Sequence, residues 1–462
     1  MGRCVDLNMK RFIIIGFINS ILFTQSNQFI NGVDLSMLKQ VEESGGLFYE
    51  NGNQIDPVQI FKEKGINTVR IKIWHTPTLN YNNLESVLEI ASRVSDIGLD
   101  LLLDFHYSDT WADPSHQTKP SAWEDLNFET LCDSIKQYSQ YVITRLKNQN
   151  TLPKYVQIGN ETDCGLLWPD GYVCGESNND IQWNKLRNLF MHAIEGINGA
   201  LDIEDTLKII SHVSSGGNWF FNNLITQDIN IDILGISYYP MWHGTLTDLS
   251  QNINDLGYQF QKPVLIVETA YPFTLGWNDN THNILGGENQ LLEEYEASEE
   301  GQFLFLNDLI MVVDDNDYGL GICYWAPDWI STNQFGSPWE NQALFDFDGE
   351  MLDALSVFDN STVSIQRINN YSFNNIYNYP NPFNPSTILQ YYLPQNEFVT
   401  ISIYDISGKL ISSLVNKNQH SGYKSVRWNS TNNQGQRVSA GVYLYSIEAG
   451  DFRETKKMIL LK

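Results

Sequence analysis

Short apolar runs recur from about residue 29 to residue 360, each followed by a longer stretch with helical spacing. Eight of these runs read as strands, over 29–34, 68–74, 100–107, 155–160, 208–213, 233–239, 263–268 and 319–325. Most are apolar almost without interruption, which is how a strand buried on both faces of a parallel sheet reads. The stretches 84–97, 128–147, 184–201 and 302–313 between them carry the helical pattern. Eight strand–helix repeats predict an α/β chain closed into a (β/α)8 TIM barrel rather than an open doubly wound sheet. No glycine-rich fingerprint follows the first strand, which argues against a dinucleotide site.

The pattern changes near residue 360. Residues 361–378 are rich in Asn and Ser and read as a linker. Beyond them, 386–393, 399–405, 424–428 and 441–448 are short and alternating, separated by turns such as Ser407-Gly408. Residues 379–462 therefore read as a small all-β immunoglobulin-like sandwich. At the other end, Met9-Lys10-Arg11 followed by the apolar run 12–23 has the form of an export signal over residues 1–26, with Met9 an alternative start. That run is too short to span a bilayer, and no other stretch predicts a membrane helix. The expected domains are thus the signal, a catalytic barrel over 27–360, the linker and the sandwich.

Charge sharpens the division. The chain carries a net charge of −27, whereas residues 376–462 hold nine basic and five acidic residues. The net negative charge lies in the first unit, and a polyanion such as nucleic acid would be repelled by it. Of the five cysteines, Cys164 and Cys174 share one loop and can either pair after export or remain thiols. Aromatic residues make up 13% of the chain, which suits either a large core or a cleft that stacks sugar rings.

Polar residues gather where the strands end: Arg70 and Trp74, Asp104 and His106, Asn160 and Glu161, Tyr238 and Tyr239, Glu268, and Trp325. That edge of a barrel is where active sites form. Glu161 follows the fourth strand and Glu268 ends the seventh, so two carboxyl groups face one cleft from opposite sides. Hydrolysis of a glycosidic bond with retention needs such a pair, one to protonate the leaving oxygen and one to attack the anomeric carbon. Asn160 beside Glu161 suits a sugar hydroxyl, which makes Glu161 the acid/base. Glu268 is then the nucleophile, with Arg70 and Tyr238 or Tyr239 to hold it ionised. His106 reads as a contact to substrate or to its neighbours, and Trp74, Trp111, Trp325 and Trp329 as stacking platforms. No cofactor is needed for this chemistry.

Several strings carry a family resemblance. They are Gly32-Val33-Asp34-Leu35-Ser36, Val69-Arg70-Ile71-Lys72-Ile73-Trp74, and the run from Asp104-Phe105-His106-Tyr107 to Trp111-Ala112-Asp113-Pro114. Gln157-Ile158-Gly159-Asn160-Glu161, Glu268-Thr269-Ala270-Tyr271-Pro272 and Trp339-Glu340-Asn341-Gln342 extend it. The region they span, about 29–358, resembles family 53 of the glycoside hydrolases, the endo-β-1,4-galactanases. The resemblance implies retaining cleavage within β-1,4-galactan, the side chain of pectic type I arabinogalactan. It also implies a structural calcium ion between the loops after strands seven and eight, for which Asp279, His282, Asn283 and Ser337 are the oxygen- or nitrogen-bearing candidates. Residues 376–462 resemble the C-terminal sorting domain of type IX secretion substrates, through Asn378-Tyr379-Pro380-Asn381-Pro382, Ile403-Tyr404-Asp405-Ile406-Ser407-Gly408-Lys409 and the basic end Lys456-Lys457. That implies the type IX machinery as a partner and a secreted or surface-attached protein of a Gram-negative cell. A carbohydrate-binding module is the alternative for the sandwich. For the barrel the alternatives are cleavage of another β-1,4-glycan, mannan or glucan, and a surface glycan-binding protein without catalysis.

Overall fold

The computed structural model describes residues 28–226, 229–359, 376–379, 381–393, 396–419, 422–450 and 452–461. The export signal and residues 361–375 of the linker lie outside the described residues.

The strands are β1 (Ile30–Asp34), a small hairpin of β2 (Tyr49–Glu50) and β3 (Asn53–Gln54), β4 (Thr68–Ile73), β5 (Asp100–Phe105), β6 (Tyr155–Ile158), β7 (Lys208–Val213), β8 (Ile233–Tyr238), β9 (Val264–Thr269) and β10 (Gly319–Trp325). All but the hairpin close into one parallel barrel in the order β1-β10-β9-β8-β7-β6-β5-β4, with β4 returning to β1. The eight expected strands are these eight, and their ends move by a residue or two. The hairpin was not expected; β2 is half-buried and β3 exposed, each two residues long, so no apolar run marks it.

Alternation along the strands separates two cores. Val69, Ile71 and Ile73 face the helices, in the large layer between sheet and helix ring. Ile30, Leu102, Tyr155, Ile210, Leu265 and Cys323 fill the floor of the barrel. One step up the strands from this floor, the inward positions turn polar: Asp34, Arg70, Asp104, Gln157 and His212 are all fully or almost fully buried. The apolar floor supports a polar storey at the C-terminal mouth.

The helix expected at 184–201 spans Asp180–Asn198, because the Asn179 side chain accepts from the amides of Ile181 and Gln182 and starts it earlier. That expected at 302–313 spans Glu299–Asp314, where Ser298 caps the amide of Gly301. No helix among the described residues is long and apolar enough to cross a membrane.

The second unit consists of β11 (Tyr377–Tyr379), β12 (Thr387–Leu393), β13 (Glu397–Asp405), β14 (Leu410–Gln419), β15 (Gly422–Trp428), β16 (Gly441–Ala449) and β17 (Phe452–Leu460). They form sheets β11-β12-β15 and β14-β13-β16-β17. Leu389, Ile401, Trp428, Tyr445 and Met458 belong to its own core. β14 and β17 escaped the sequence reading because they are edge strands with mostly polar faces. β11 pairs with β12, so the sandwich begins within the stretch read as linker.

Candidate active site

The site is assembled from strand ends, and three of them turn in a strained conformation. Tyr107, Glu161 and Ala326, which follow β5, β6 and β10, have φ of 49°, 46° and 49°. Left-handed φ at a residue with a Cβ is uncommon and concentrates at functional sites. At Glu161 the turn is held from several sides. Its amide donates to Nδ1 of His212 (3.2 Å), the Thr162 amide donates to the His212 carbonyl (2.9 Å), and Gln117 Nε2 donates to the Asn160 carbonyl (2.7 Å).

Glu268 reaches the cleft by a different device. Leu265 and Val267 point into the barrel, so simple alternation would turn Glu268 outward toward the helices. The register between β8 and β9 slips here: Ile236 pairs with Ile266, but Ser237 pairs with Glu268. This bulge re-aims the Glu268 side chain into the mouth.

Once there, the two carboxyl groups are provided for unequally. Glu268 receives Arg70 on Oε1 (2.9 Å) and the Tyr239 hydroxyl on Oε2 (3.2 Å). Glu161 receives one side-chain hydroxyl, that of Ser237, on Oε1 (2.7 Å). Burial raises the pKa of both. For Glu161 the nearby Glu268 charge adds to the rise, and the acid is held well above the ordinary range. For Glu268 burial is opposed by Arg70, and the value is pushed up to about 7. Of the pair, Glu161 is the one arranged to hold a proton and Glu268 the one arranged to be an anion.

Arg70 is the hub below them. It donates to Asp34 (2.6 Å), Asp104 (2.8 Å), Asn160 Oδ1 (2.8 Å) and Gln157 Oε1 (3.3 Å), and forms an ion pair with Glu268. Burial disfavours its charge, but Asp104, Glu268 and Asp34 more than compensate and raise its pKa.

Aromatic rings line the mouth beside the pair. Trp111 lies 5.4 Å from Trp74 and 5.9 Å from Trp325, and Trp339 joins Trp325 (4.7 Å) to Tyr239 (5.7 Å). The buried Lys72 ammonium sits 3.9 Å from the Trp111 ring centroid, a cation–π contact behind the platform. Trp74, Trp111 and Trp325 are half-buried and offer ring surface.

Several expected substrate contacts take other parts. Tyr238 points away from the cleft: it is buried, stacks on Phe305 and donates to the Gly244 carbonyl, because it alternates with the inward Ser237. Tyr239 alone reaches Glu268. Trp329 is 7% exposed and lies nearly parallel between Trp111 and Phe335, so its faces are covered. It braces the Trp111 platform. Asp104 is fully buried beneath Arg70 and serves it. His106 has both ring nitrogens engaged, Nε2 with Asp104 and Nδ1 as acceptor from Trp74 Nε1 and the Ala112 amide. It orients Trp74 and the Ala112 segment. Asn160 commits its oxygen to Arg70 and donates to the Ala112 carbonyl (2.8 Å).

Ser237, His212, Gln157 and Asp34 were missed as members of the site. The available signal was parity: each stands an even number of residues along its strand from a residue of the barrel floor, Ile30, Tyr155, Ile210 or Ile233.

Of the four calcium candidates, Asp279 and Ser337 are joined directly, and Asn283 donates to the Gly276 carbonyl. The Asp279 carboxylate is occupied by the amides of Thr281 and Ser337, the Ser337 hydroxyl donates to the Trp329 carbonyl, and His282 is exposed with its ring against Trp277 (5.1 Å). Among the described residues no cluster of three His, Cys, Asp or Glu side chains is placed to hold a metal. In the loop after Glu161, Cys164 and Cys174 are disulfide-bonded, which resolves the alternative left open by sequence.

The profile of glycosyl hydrolase family 53 matches residues 30–358. The chain belongs to that family. An arabinogalactan endo-β-1,4-galactanase of Cellvibrio japonicus is 35% identical over 334 residues, covering 69% of this chain and 86% of its own. The family 53 catalytic domain of Ignisphaera aggregans superimposes with a TM-score of 0.66 at 36% identity, covering 71% of this chain and 95% of that one. A fungal β-1,4-galactanase structure gives 0.62 at 31% identity, covering 71% and 98%. This family 53 glycoside hydrolase also has a region, residues 386–451, that matches an FlgD Ig-like domain.

Proposed function

We propose that this protein hydrolyses β-1,4-galactosidic bonds within galactan, with retention, using Glu268 as nucleophile and Glu161 as acid/base. The observation that carries the roles is the unequal provision of the two carboxyls. Arg70 and Tyr239 stabilise an anion at Glu268, while burial and the neighbouring charge favour the protonated form of Glu161. In the first step Glu268 attacks the anomeric carbon as Glu161 gives its proton to the departing glycosidic oxygen. Glu161, now ionised, takes a proton from water, which displaces Glu268 from the glycosyl ester. The substrate rests on the similarity to galactanases and on a cleft bordered by Trp74, Trp111 and Trp325, whose rings suit the apolar faces of galactose units. A site that hydrogen-bonds the axial 4-hydroxyl leaves polar groups unpaired when glucose binds, which penalises cellulose. The test is reducing-end release from debranched pectic galactan, carboxymethyl cellulose and mannan at equal enzyme. Release of short oligosaccharides from galactan alone is expected; faster release from cellulose or mannan overturns the substrate while leaving the carboxyl pair intact.

For location, the reading is export followed by type IX secretion, to the medium or the cell surface of a Gram-negative bacterium. It is supported by the signal-like residues 9–26, by the sorting-domain strings in 376–462, and by an immunoglobulin-like sandwich at that end. Fusing residues 376–462 to a periplasmic reporter in a type IX-competent host should carry it outside, and retention in the periplasm excludes the reading. Calcium keeps the support of the resemblance and of the buried Asn283 Oδ1, which has no protein partner among the described residues. A fall in Tm on chelation, reversed by Ca2+, is the result that would establish it, and an unchanged Tm removes it.

A further inference from the structure

His212 is fully buried on β7, and its ring is linked to Glu161 twice, directly at the amide and through Ser237 at the carboxyl. Nδ1 lies 3.2 Å from the Glu161 amide, and Nε2 lies 2.9 Å from the Ser237 hydroxyl that reaches Glu161 Oε1. We propose that His212 is a positioning residue for the acid/base: it holds Glu161 by its backbone and, through Ser237, by its carboxyl, so that the transferable proton is carried on Oε2. The inference rests on the assignment of Glu161 as acid/base.

The direction of every bond follows from one that cannot be reversed. Two groups compete for Nδ1 of His212: the Glu161 amide, which can only donate and has no other acceptor, and Asn160 Oδ1 at 3.1 Å, which already accepts from Arg70. Satisfying the buried amide makes Nδ1 the acceptor, without a hydrogen. Gln157 Nε2 lies 3.1 Å from the same nitrogen but gives its two hydrogens to Asp104 Oδ1 (2.7 Å) and the Gly159 carbonyl (3.0 Å). Burial, with Arg70 and His106 nearby, holds the ring neutral, so its single hydrogen is on Nε2. That hydrogen goes to Ser237 Oγ, which leaves the Ser237 hydroxyl hydrogen for Glu161 Oε1. Oε1 is then an acceptor in both protonation states, and the acidic hydrogen of Glu161 is placed on the other oxygen. The ring closes on itself, running from the Glu161 amide through His212 and Ser237 to the Glu161 carboxyl. It also holds the left-handed φ of Glu161, since the Thr162 amide and hydroxyl both donate to the His212 carbonyl (2.9 and 2.8 Å).

The charges bearing on Glu161 are Glu268 and Asp163, which disfavour its ionisation, and Arg70, which favours it. The Tyr239 hydroxyl stands beside the pair and stays protonated, because burial and both glutamates raise it. The Ser237 bond acts with Arg70, stabilising the anion that Glu161 becomes after giving up its proton. Removing it makes Glu161 a weaker acid. The basic limb of kcat/KM reports the loss of the Glu161 proton, so it should move to higher pH.

Ser237→Ala should lower kcat/KM on galactan roughly 10–100-fold, with a smaller loss on an aryl galactoside whose leaving group needs no proton. Its basic limb should shift upward, and Ser237→Thr, which keeps the hydroxyl, should return both rate and limb toward the parent. His212→Leu should shift the limb in the same direction, and the double variant should lose little more than His212→Leu alone. A basic limb unmoved in Ser237→Ala, or losses that multiply in the double variant, overturns the proposal. If His212→Leu does not fold, the Ser237 pair decides the matter. Glu161→Gln on the aryl galactoside runs alongside: retention of the first step upholds the acid/base assignment, so an unmoved limb then counts against the His212 clamp alone. Loss of that step in Glu161→Gln counts against the assignment beneath it.

Discussion

β4 contains two charged residues and β17 four, and those charges mean opposite things. In β4, Thr68–Ile73, every residue is buried, including Arg70 and Lys72. In β17, Phe452–Leu460, residues alternate between exposed and half-buried until the apolar end, and Arg453, Glu454, Lys456 and Lys457 lie on or near the surface. A sandwich strand has one face in water, so a charge there costs nothing to place. A barrel strand is covered on both faces, so a charge inside it must be matched by others. Arg70 has Asp34, Asp104 and Glu268; Arg453 has the surface residue Glu448. The same residue type is therefore machinery in one unit and solvation in the other.

The largest effects that would test this contrast lie at the mouth. Glu268→Gln should reduce galactan hydrolysis by more than about 10⁴-fold, since the covalent intermediate cannot form. Glu161→Gln should spare aryl galactosides in their first step, and azide should restore turnover with a β-linked product. An α-linked azide product from Glu161→Gln would reverse the two roles.

Next comes stability. Arg70→Met leaves three carboxyl groups without their cation and should cost ~3–5 kcal/mol in denaturant unfolding, or prevent folding. Arg453→Ala should change stability by less than about 0.5 kcal/mol. Equal costs at the two positions would break the comparison.

Smaller again is the platform. Trp325→Ala should weaken oligosaccharide binding by ~1–3 kcal/mol in calorimetry. Trp329→Ala, which opens a cavity behind Trp111, should act mainly on Tm, and a pure binding loss there would show that its ring is open to sugar after all.

The smallest effect expected is that of deleting residues 376–462. The barrel core is drawn from residues 33–358 and the sandwich core from 376–460, so activity on soluble galactan should be unchanged and Tm should move by no more than about 2 °C. A larger fall would show that the two units stabilise each other.

Much of this was legible without coordinates. Eight nearly unbroken apolar runs spaced by helices leave few alternatives to a barrel, and polar residues at their C-terminal ends mark its working edge. Glu161, Glu268 and Arg70 could be read there because a charged group in or just after a buried strand must be matched by other groups, and Tyr239 could be read only together with Tyr238. What sequence determined, then, was the fold, the two carboxyls and their family. Tertiary structure decided which neighbours touch them. Parity separated Tyr239, which reaches Glu268, from Tyr238, which joins the outer core. Covering rings on two sides turned Trp329 from platform to brace. A one-residue slip between β8 and β9 aimed Glu268 inward, against the alternation of its own strand. His212, beside Ser211 in β7, and Ser237 in β8 met Glu161 only because β6, β7 and β8 lie side by side. Local pattern reports what a residue can do with its own strand. Register, bulges and the packing of neighbouring strands are set by contacts between segments far apart in the chain, and those are what place a side chain within hydrogen-bond reach.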